Sequence, residues 1–375
     1  MFDQPMMDAL LDDARKTWPA QWTETKVFSN RATFAVAVDL IINKLGFFQK
    51  KNDVETFEGI KKKVNLFDDA DYVFRQMLEI LCEEGILRHD DNEYRCVESY
   101  IEIESPSEVI ARAIREIPQE GAFFQWLARS TGKLHEFIKG QAYGEEILFP
   151  FSDFSLLEDV YNTSDVSGYY PKLTAKAIRR IMDQEFTDKI TMVEVGSGTG
   201  NSAANVFAAL EHPADRIEKF VFTDISKALI KQSKKKFEDL EFMQYQTLDL
   251  GRNLLEQDMT DGMADIVFGV NVLHATDDLS ISFKNLYQLM KPGGFLVLGE
   301  ISPPPNGMYR YMELTFGLLG SYYKYNDRDI RPNTPLMRPD VWIASLTTTG
   351  FSQIVNIPDD TEPDIETGGV VIAKK

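Results

Sequence analysis

The chain has 375 residues, and 40 lysines and arginines stand against 59 aspartates and glutamates, which gives a formal net charge of −19. An acidic chain of this kind does not provide the basic surface that binding to nucleic acid or to anionic membranes requires. The length favours two domains, and 43% hydrophobic residues is ordinary for a globular protein. Only two cysteines are present, Cys82 and Cys96, too few for a disulfide framework. With no signal peptide and no long apolar stretch, these features predict a cytoplasmic location without membrane contact.

Residues 1–145 are predicted to form a mainly helical domain, because apolar side chains recur there at helical spacing. The two clearest runs are Phe34, Ala37, Val38, Ile41 and Leu45, and Val73, Phe74, Met77, Leu78 and Leu81. Gly46 and Gly85 follow these runs and can cap the helices. Residues 86–96 predict a short hairpin around Asp91 and Asn92. Helices followed by a hairpin resemble a small winged-helix unit.

Two interpretations of this first domain stay open: a packing or dimerisation domain, and a lid over a substrate pocket. Binding to DNA is disfavoured, because Arg75 alone opposes the acidic residues of the second helix, which are Asp69, Asp71, Glu79, Glu83 and Glu84.

From residue 146 to residue 375 the pattern changes to alternating strands and helices, which predicts an α/β domain with a mostly parallel sheet. The strand candidates are residues 191–195, 220–223, 264–270, 295–300 and 369–373, and helical stretches include 226–237 and 279–290. Residues 303–307 predict a turn or hinge.

A glycine-rich loop follows the first of these strands. Gly196, Gly198 and Gly200 stand at alternate positions after Glu194, a spacing that differs from the G-x-G-x-x-G of dinucleotide-binding enzymes. Asp224 ends the next strand, where a carboxylate can accept hydrogen bonds from ribose hydroxyls or can cap the helix near Ser226.

A third carboxylate, Asp249, lies between the second and third strand candidates, and can accept a hydrogen bond from an adenine amino group or form another cap before Gly251. Together these residues resemble the S-adenosylmethionine-dependent methyltransferases of the Rossmann-like class. The resemblance implies a cofactor across the carboxyl ends of the strands. It assigns cofactor contacts to Tyr170, Glu194, Gly196, Ser197, Gly198, Gly200, Asp224, Ile225, Asp249, Leu250 and Asn271. No metal is expected.

His274 follows the third strand candidate, beside Asn271, whose amide can bind the methionine part of the cofactor. A neutral imidazole can take up a proton at physiological pH. Glu300 ends the next strand candidate. In a sheet with the strand order 3-2-1-4-5, the strands that carry His274 and Glu300 are strands four and five, which are neighbours, so the two side chains are expected to meet. A structural histidine and a polar strand end are the plainer alternatives.

A closer resemblance, to the methyltransferase domains of polyketide synthases, runs from about Leu157 to the C-terminus. It is carried by residues 222–226, 271–276, 291–294, 298–300 and 316–323, and by Asp329, Arg331, Pro335, Leu336, Trp342, Gly350 and Phe351. That family methylates an acyl chain held as a phosphopantetheine thioester on an acyl carrier protein, and its His–Glu pair matches His274 and Glu300. Two departures are Asn201-Ser202-Ala203 after Gly200, and Tyr322-Tyr323 where two tryptophans are common.

The resemblance implies a polyketide carbon methyltransferase: His274, oriented by Glu300, removes the α-proton of a β-ketoacyl thioester, and the carbanion takes the methyl group. Methylation of a hydroxyl oxygen and an inactive scaffold that binds a carrier are the alternatives. An aromatic cluster is expected either to line the acyl pocket or to pack in the core; it comprises Tyr309, Tyr311, Phe316, Tyr322, Tyr323 and Tyr325. An acidic carrier needs local basic patches, and the candidates are Lys61, Lys62, Lys63, Lys231, Lys234, Lys235 and Lys236.

Overall fold

The computed structural model describes residues 2–98, 103–304, 308–358 and 368–375. The chain divides into two compact units. The sheet unit comprises Met1–Trp18, Gly168–Pro305 and Lys324–Lys375, and the helical unit comprises Pro19–Ser167 and Asn306–Tyr323. These bounds differ from the predicted 1–145 and 146–375, because both units are assembled from separated segments of the chain. The role of the helical unit as a lid stays a prediction.

Helices occur throughout the described residues. In chain order they are α1 Gln4–Thr17, α2 Trp22–Ala37, α3 Phe57–Val64, α4 Asp71–Glu83, α5 Pro106–Glu116, α6 Gly121–Thr131, α7 Leu134–Ile138, α8 Gly144–Leu148, α9 Ser155–Thr163, α10 Asp165–Glu185, α11 Asn201–Leu210, α12 Pro213–Arg216, α13 Lys227–Lys236, α14 Leu279–Leu289, α15 Arg310–Thr315, α16 Gly320–Tyr323 and α17 Pro339–Thr349. A π-helical stretch, Val38–Lys44, continues α2.

The strands form two sheets. They are β1 Val54–Thr56, β2 Leu87–Asp90, β3 Glu93–Cys96, β4 Ile190–Glu194, β5 Ile217–Asp224, β6 Met243–Thr247, β7 Ala264–Val270, β8 Met290–Ile301, β9 Ser352–Ile357 and β10 Gly368–Lys374. The small sheet has the order β1-β3-β2, and the large sheet has the order β6-β5-β4-β7-β8-β10-β9. The first five strands of the large sheet are parallel, and β10 pairs antiparallel with β8 and β9. The predicted parallel sheet and its 3-2-1-4-5 order are therefore confirmed.

The helical unit contains the predicted hairpin. Strands β2 and β3 pair antiparallel across the turn at Asp91 and Asn92, and β1 adds to β3. Gly85 has a φ of +72° just after α4, a left-handed conformation that ends a helix easily in glycine. The sequence β1–α3–α4–β2–β3 is consistent with the predicted resemblance to a winged-helix unit.

The core of the sheet unit depends on strands that are buried on both faces. The middle strands β4, β7 and β8 are almost entirely buried, as expected of parallel strands covered by helices on both sides. Strands β6 and β9 are absent from the predicted strands, because both are sheet edges whose partly exposed residues lack a continuous apolar run. Part of the predicted turn at 303–307 lies outside the described residues.

In the part of the chain that the structure describes, no helix combines the length and the apolar character needed to cross a membrane.

Candidate active site

The glycine loop joins the carboxyl end of β4 to α11. Gly196, Gly198 and Gly200 all have positive φ values, of +59°, +53° and +77°. A Cβ on Gly196 would lie 2.1 Å from Cγ2 of Val272, and one on Gly200 would lie 2.7 Å from Cε2 of Phe237. A Cβ on Gly198, in contrast, would meet nothing within 4 Å. The outer glycines therefore permit close packing, and the middle one presents open backbone.

Asp224 holds this loop in place from the end of β5. Its Oδ2 accepts a hydrogen bond from the backbone N–H of Gly198 at 2.9 Å, and its Oδ1 accepts one from Ser226 at 2.8 Å. Ser226 is the residue that caps α13, through its own hydroxyl. Burial raises the pKa of Asp224 above its ordinary value, against the lowering effect of these backbone donors. Each carboxylate oxygen has a second lone pair, so the side chain can also accept from ribose hydroxyls.

Glu194 is a carboxylate of the site whose burial is only partly offset by hydrogen bonds. It is 1% exposed, and its Oε2 has no hydrogen-bond partner among the described residues. Burial raises its pKa to about 8, and hydrogen bonds from Ser197 and the backbone of Ala203 offset only part of that effect. A buried, unsatisfied carboxylate oxygen next to open backbone fits a ligand that carries a cation and hydroxyl donors, as S-adenosylmethionine does.

Ser197 mainly serves the sheet. Its Oγ lies 3.3 Å from the carbonyl oxygen of Glu194 and accepts the N–H of Thr223 at 3.2 Å, and so it joins the ends of β4 and β5.

Asp249 is positioned by a residue that sequence reasoning missed. The side chain of Gln257 accepts the backbone N–H of Asp249 at 2.7 Å and donates to its carbonyl at 2.9 Å. One carboxylate oxygen of Asp249 accepts the N–H of Gly251 at 2.8 Å, in the turn that the sequence offered as the alternative role. Of the other predicted contacts, Ile225 is exposed and Leu250 is buried in the core.

Asn271 has a φ of +51°, an unusual value outside glycine, directly after β7. Its backbone N–H donates to the carbonyl of Gly299 at 2.8 Å, and its Oδ1 accepts the N–H of Ile301 at 3.0 Å. These bonds tie the turn to β8. One lone pair of the amide oxygen therefore serves the fold, and the contact of Asn271 with the cofactor stays a prediction.

His274 and Glu300 meet at the carboxyl ends of the neighbouring strands β7 and β8. His274 Nδ1 lies 2.8 Å from Glu300 Oε2, and both side chains are buried. Glu300 Oε1 accepts the backbone N–H groups of Val272 at 3.0 Å and Leu273 at 2.8 Å. One carboxylate thus fixes both the imidazole and the backbone that carries it. The second function of Glu300 cannot be read from the sequence, because it depends on how the turn folds.

The residues of the predicted aromatic cluster belong to both units, and two pairs keep ring contacts, Tyr309 with Tyr311 at 6.3 Å and Phe316 with Tyr322 at 6.4 Å. Tyr309, Tyr311, Phe316, Tyr322 and Tyr323 belong to the helical unit, and Tyr325 belongs to the sheet unit. Within the helical unit these rings pack on other aromatic rings, such as Tyr311 on Phe123 at 3.8 Å, Phe316 on Trp126 at 5.8 Å and Tyr323 on Tyr72 at 5.1 Å. These contacts match the core-packing alternative, and the pocket role stays a prediction.

Tyr170 lies in α10 and is 3% exposed. Its ring packs edge-on against Tyr169 at 5.2 Å. Its contact with the cofactor stays a prediction.

Comparisons with known proteins bear on this site. Residues 193–296 match the sequence profile of a family described as "Methyltransferase domain". Over 254 residues the chain is 32% identical to polyketide synthase PksR of Bacillus subtilis, which covers 64% of the chain but 10% of the synthase. The crystal structure of the CurJ carbon methyltransferase superposes with a TM-score of 0.88 at 25% identity, covering 99% of this chain and 97% of that one. The chain is an S-adenosylmethionine-dependent methyltransferase related to the carbon methyltransferase domains of polyketide synthases.

The same fold recurs in the trans-methyltransferase CalH, solved in complex with SAH, with a TM-score of 0.66 at 20% identity and coverage of 95% of this chain and 92% of CalH. The region that matches PksR and the next two synthases spans only 10%, 5% and 11% of their respective lengths. The methyltransferase profile and the fold shared with CurJ and CalH confirm the expected fold class, enzyme class and cofactor. The roles of the individual site residues stay predictions.

We expect Glu194→Gln to change how stability depends on pH. The pKa of Glu194 is raised from 4.5 to about 8 in the folded protein, so the unfolded chain loses this proton at lower pH than the folded chain. Between these two values the unfolded state binds fewer protons, and this group lowers stability as pH rises. At about 1.4 kcal/mol per pKa unit the penalty is on the order of several kcal/mol by pH 8.

Glutamine does not ionise, so the variant should lose less stability than the wild type between pH 5 and pH 8, as followed by urea unfolding of the ligand-free protein. Glu256→Gln removes an exposed carboxylate and is the matched control. Parallel stability curves for the wild type and Glu194→Gln would contradict the buried-acid interpretation.

Proposed function

We propose that this methyltransferase is a carbon methyltransferase of polyketide biosynthesis, acting on the α-carbon of a β-ketoacyl thioester carried by an acyl carrier protein, with His274 as the base and Glu300 as its partner. The observation that carries the proposal is the 2.8 Å hydrogen bond between the two side chains. They lie at the carboxyl ends of β7 and β8, and the glycine loop lies at the carboxyl end of β4 in the same sheet. The likeness to the CurJ carbon methyltransferase supports the choice of carbon over oxygen as acceptor.

The tautomer of His274 follows from the chemistry of its partner. A carboxylate accepts hydrogen bonds, so Nδ1 carries the proton that Glu300 Oε2 receives. In the neutral imidazole the lone pair then lies on Nε2, and this is the atom that takes up a proton. Glu300 stabilises the imidazolium that results, as carboxylates do in other histidine pairs.

A β-ketoacyl thioester suits this base, because its α-carbon lies between two carbonyls and its C–H bond is acidic. His274 Nε2 removes that proton from the α-carbon, and the enolate forms in a buried site with little competing water. Asp224, Glu194 and the open backbone at Gly198 hold the cofactor. S-adenosylmethionine supplies an electrophilic methyl group on a positively charged sulfur.

Incubating the methyltransferase with a β-ketoacyl carrier protein and S-adenosylmethionine labelled in its methyl group tests the acceptor atom. We expect the label on the α-carbon, because that position forms a stabilised carbanion. Mass spectrometry of the released acyl chain, with NMR of the labelled methyl group, reads the position directly. Label on oxygen would establish O-methylation instead, and no transfer under conditions where the cofactor binds would favour the inactive carrier-binding scaffold.

Glu300→Gln separates the orientation of the base from the folding of the turn. The amide oxygen can still accept from Val272 and Leu273, whereas the amide NH₂ faces His274 Nδ1 and favours the opposite tautomer. The base is then protonated at Nε2, and we expect kcat to fall by about 10²- to 10⁴-fold. The kcat of His274→Gln should fall at least as far. The Kd of S-adenosylmethionine, measured by calorimetry, should change little in both variants. Near-normal turnover in His274→Gln would disprove the dyad.

We propose that an acyl carrier protein docks on the exposed lysines of α13. On α3, Lys61 pairs with Asp68 and Asp71, and Lys63 pairs with Glu55, so most of that charge is neutralised locally. Lys236 of α13 donates to the carbonyl of Thr199 at 3.2 Å and serves the glycine loop. Lys231, Lys234 and Lys235 remain exposed around it.

The double variant Lys231→Glu/Lys235→Glu should raise the KM for an acyl carrier protein by about tenfold, because charged pairs at a docking surface mainly control encounter. Turnover of the same acyl group on free pantetheine is the internal control and should not change. Lys62→Glu on α3 is a single charge reversal at another exposed lysine, for comparison. An unchanged KM for the carrier in the double variant would exclude this surface.

A further inference from the structure

The turn that carries His274 is held on its carbonyl side by a buried arginine. Arg331 is 1% exposed, and its Nη1 donates to the carbonyl of His274 at 2.8 Å. Its Nη2 donates to the carbonyl of Thr276, also at 2.8 Å. The guanidinium thus bridges two carbonyls of one short turn. All of these residues belong to the sheet unit.

Arg331 is itself fixed by two neighbours. Its Nε and Nη2 donate to Asp327 Oδ1 at 2.8 Å and 2.6 Å, and its guanidinium lies 4.3 Å from the centre of the Tyr325 ring. The second oxygen, Asp327 Oδ2, accepts the N–H of Leu279 at the start of α14. The positive charge is therefore balanced where it is buried, and its position is tied to the helix that follows the His274 turn.

Two opposite charges therefore hold the turn, one from its N–H side and one from its carbonyl side. Glu300 accepts the N–H groups of Val272 and Leu273, and Arg331 donates to the carbonyls of His274 and Thr276. An N–H donor and a carbonyl acceptor on either side of His274 fix the direction of its peptide planes, and so the direction in which its side chain leaves the backbone. Hydrogen bonds that involve a charged partner are about twice as strong as neutral ones.

We propose that Arg331 is a positioning residue of the methyltransferase, which holds the backbone of His274 so that Nδ1 stays on Glu300 and Nε2 stays aimed at the substrate. This inference rests on the proposed function of His274. Arg331 is not a catalytic residue, since its guanidinium contacts backbone carbonyls, Asp327 and the Tyr325 ring. A lysine cannot replace it, because one ammonium group does not reproduce the flat fork that reaches two carbonyls and a carboxylate together.

The test is Arg331→Lys, with Arg180→Lys as the matched control. Arg180 of α10 also pairs with an aspartate of the same unit, Asp13 of α1, but in a more exposed setting, and so it reports the general cost of replacing a paired arginine by lysine. We expect kcat of Arg331→Lys to fall by about 10- to 100-fold, the loss that small misplacements of a catalytic group produce, while the cofactor Kd stays close to the wild-type value. Arg180→Lys should retain wild-type kcat below its melting temperature.

Side-chain ¹⁵N NMR provides a second readout that a merely structural role would not change. The chain has four histidines, so the signal of His274 can be assigned from its loss in His274→Gln. The wild type should show the Nδ1–H tautomer, and Arg331→Lys should show a mixture of both tautomers. A single Nδ1–H signal, or a kcat within about twofold of the wild type, would overturn the proposal.

Asp327→Asn decides the matter if Arg331→Lys does not fold. It leaves Arg331 in place but weakens its anchor, so kcat should fall less than in Arg331→Lys, again with a second tautomer of His274. Wild-type kcat and a single tautomer in this variant would overturn the proposal. The readouts also separate the two claims: full turnover in His274→Gln contradicts the proposed base, whereas the tautomer of His274 in the arginine variant reports on positioning alone.

Discussion

The carboxylate of Glu300 is the constraint on which the proposed chemistry of this fold depends. It accepts three hydrogen bonds, from the N–H groups of Val272 and Leu273 and from the ring of His274. The anion is placed there by the sheet, because β7 and β8 are parallel neighbours and end at the same edge. The order of the strands therefore brings Glu300 to the turn, and the hydrogen bonds of Glu300 then hold the shape of the turn and the tautomer of the imidazole.

The glycine loop is coupled to the same turn through packing. Gly196 lies so close to Val272 that a Cβ would be 2.1 Å from that side chain, and Gly269 approaches Val272 and Val195 almost as closely. Val272 is one of the two residues whose N–H groups donate to Glu300. Protein interiors are densely packed and transmit small displacements, so we expect a displacement of the glycine loop to move the turn that carries His274.

The sequence predicts the middle of the fold far better than its edges. Buried parallel strands are long apolar runs, and β4, β7 and β8 follow from that pattern, whereas β6 and β9 mix polar and apolar residues at the sheet margins. The division into units escapes any linear pattern, since residues 306–323 join the helical unit from the middle of the other.

Within the site, carboxylates and glycines at strand ends can be recognised because their spacing is local. The supporting roles cannot, although Arg331 is one of the residues that carry the resemblance, because Gln257 binds Asp249 through its side chain and Arg331 binds the backbone of a turn 57 residues away in the sequence. Backbone carbonyls carry no sequence signature, so a side chain that binds them looks like any surface residue until the turn is folded.

Burial is the property that distinguishes such a side chain. An arginine that is 1% exposed has lost its hydration, and that loss is offset only if nearly every N–H finds a partner. The carbonyls of His274 and Thr276 are such partners. The burial of the arginine charge and the orientation proposed for the imidazole thus depend on the same hydrogen bonds.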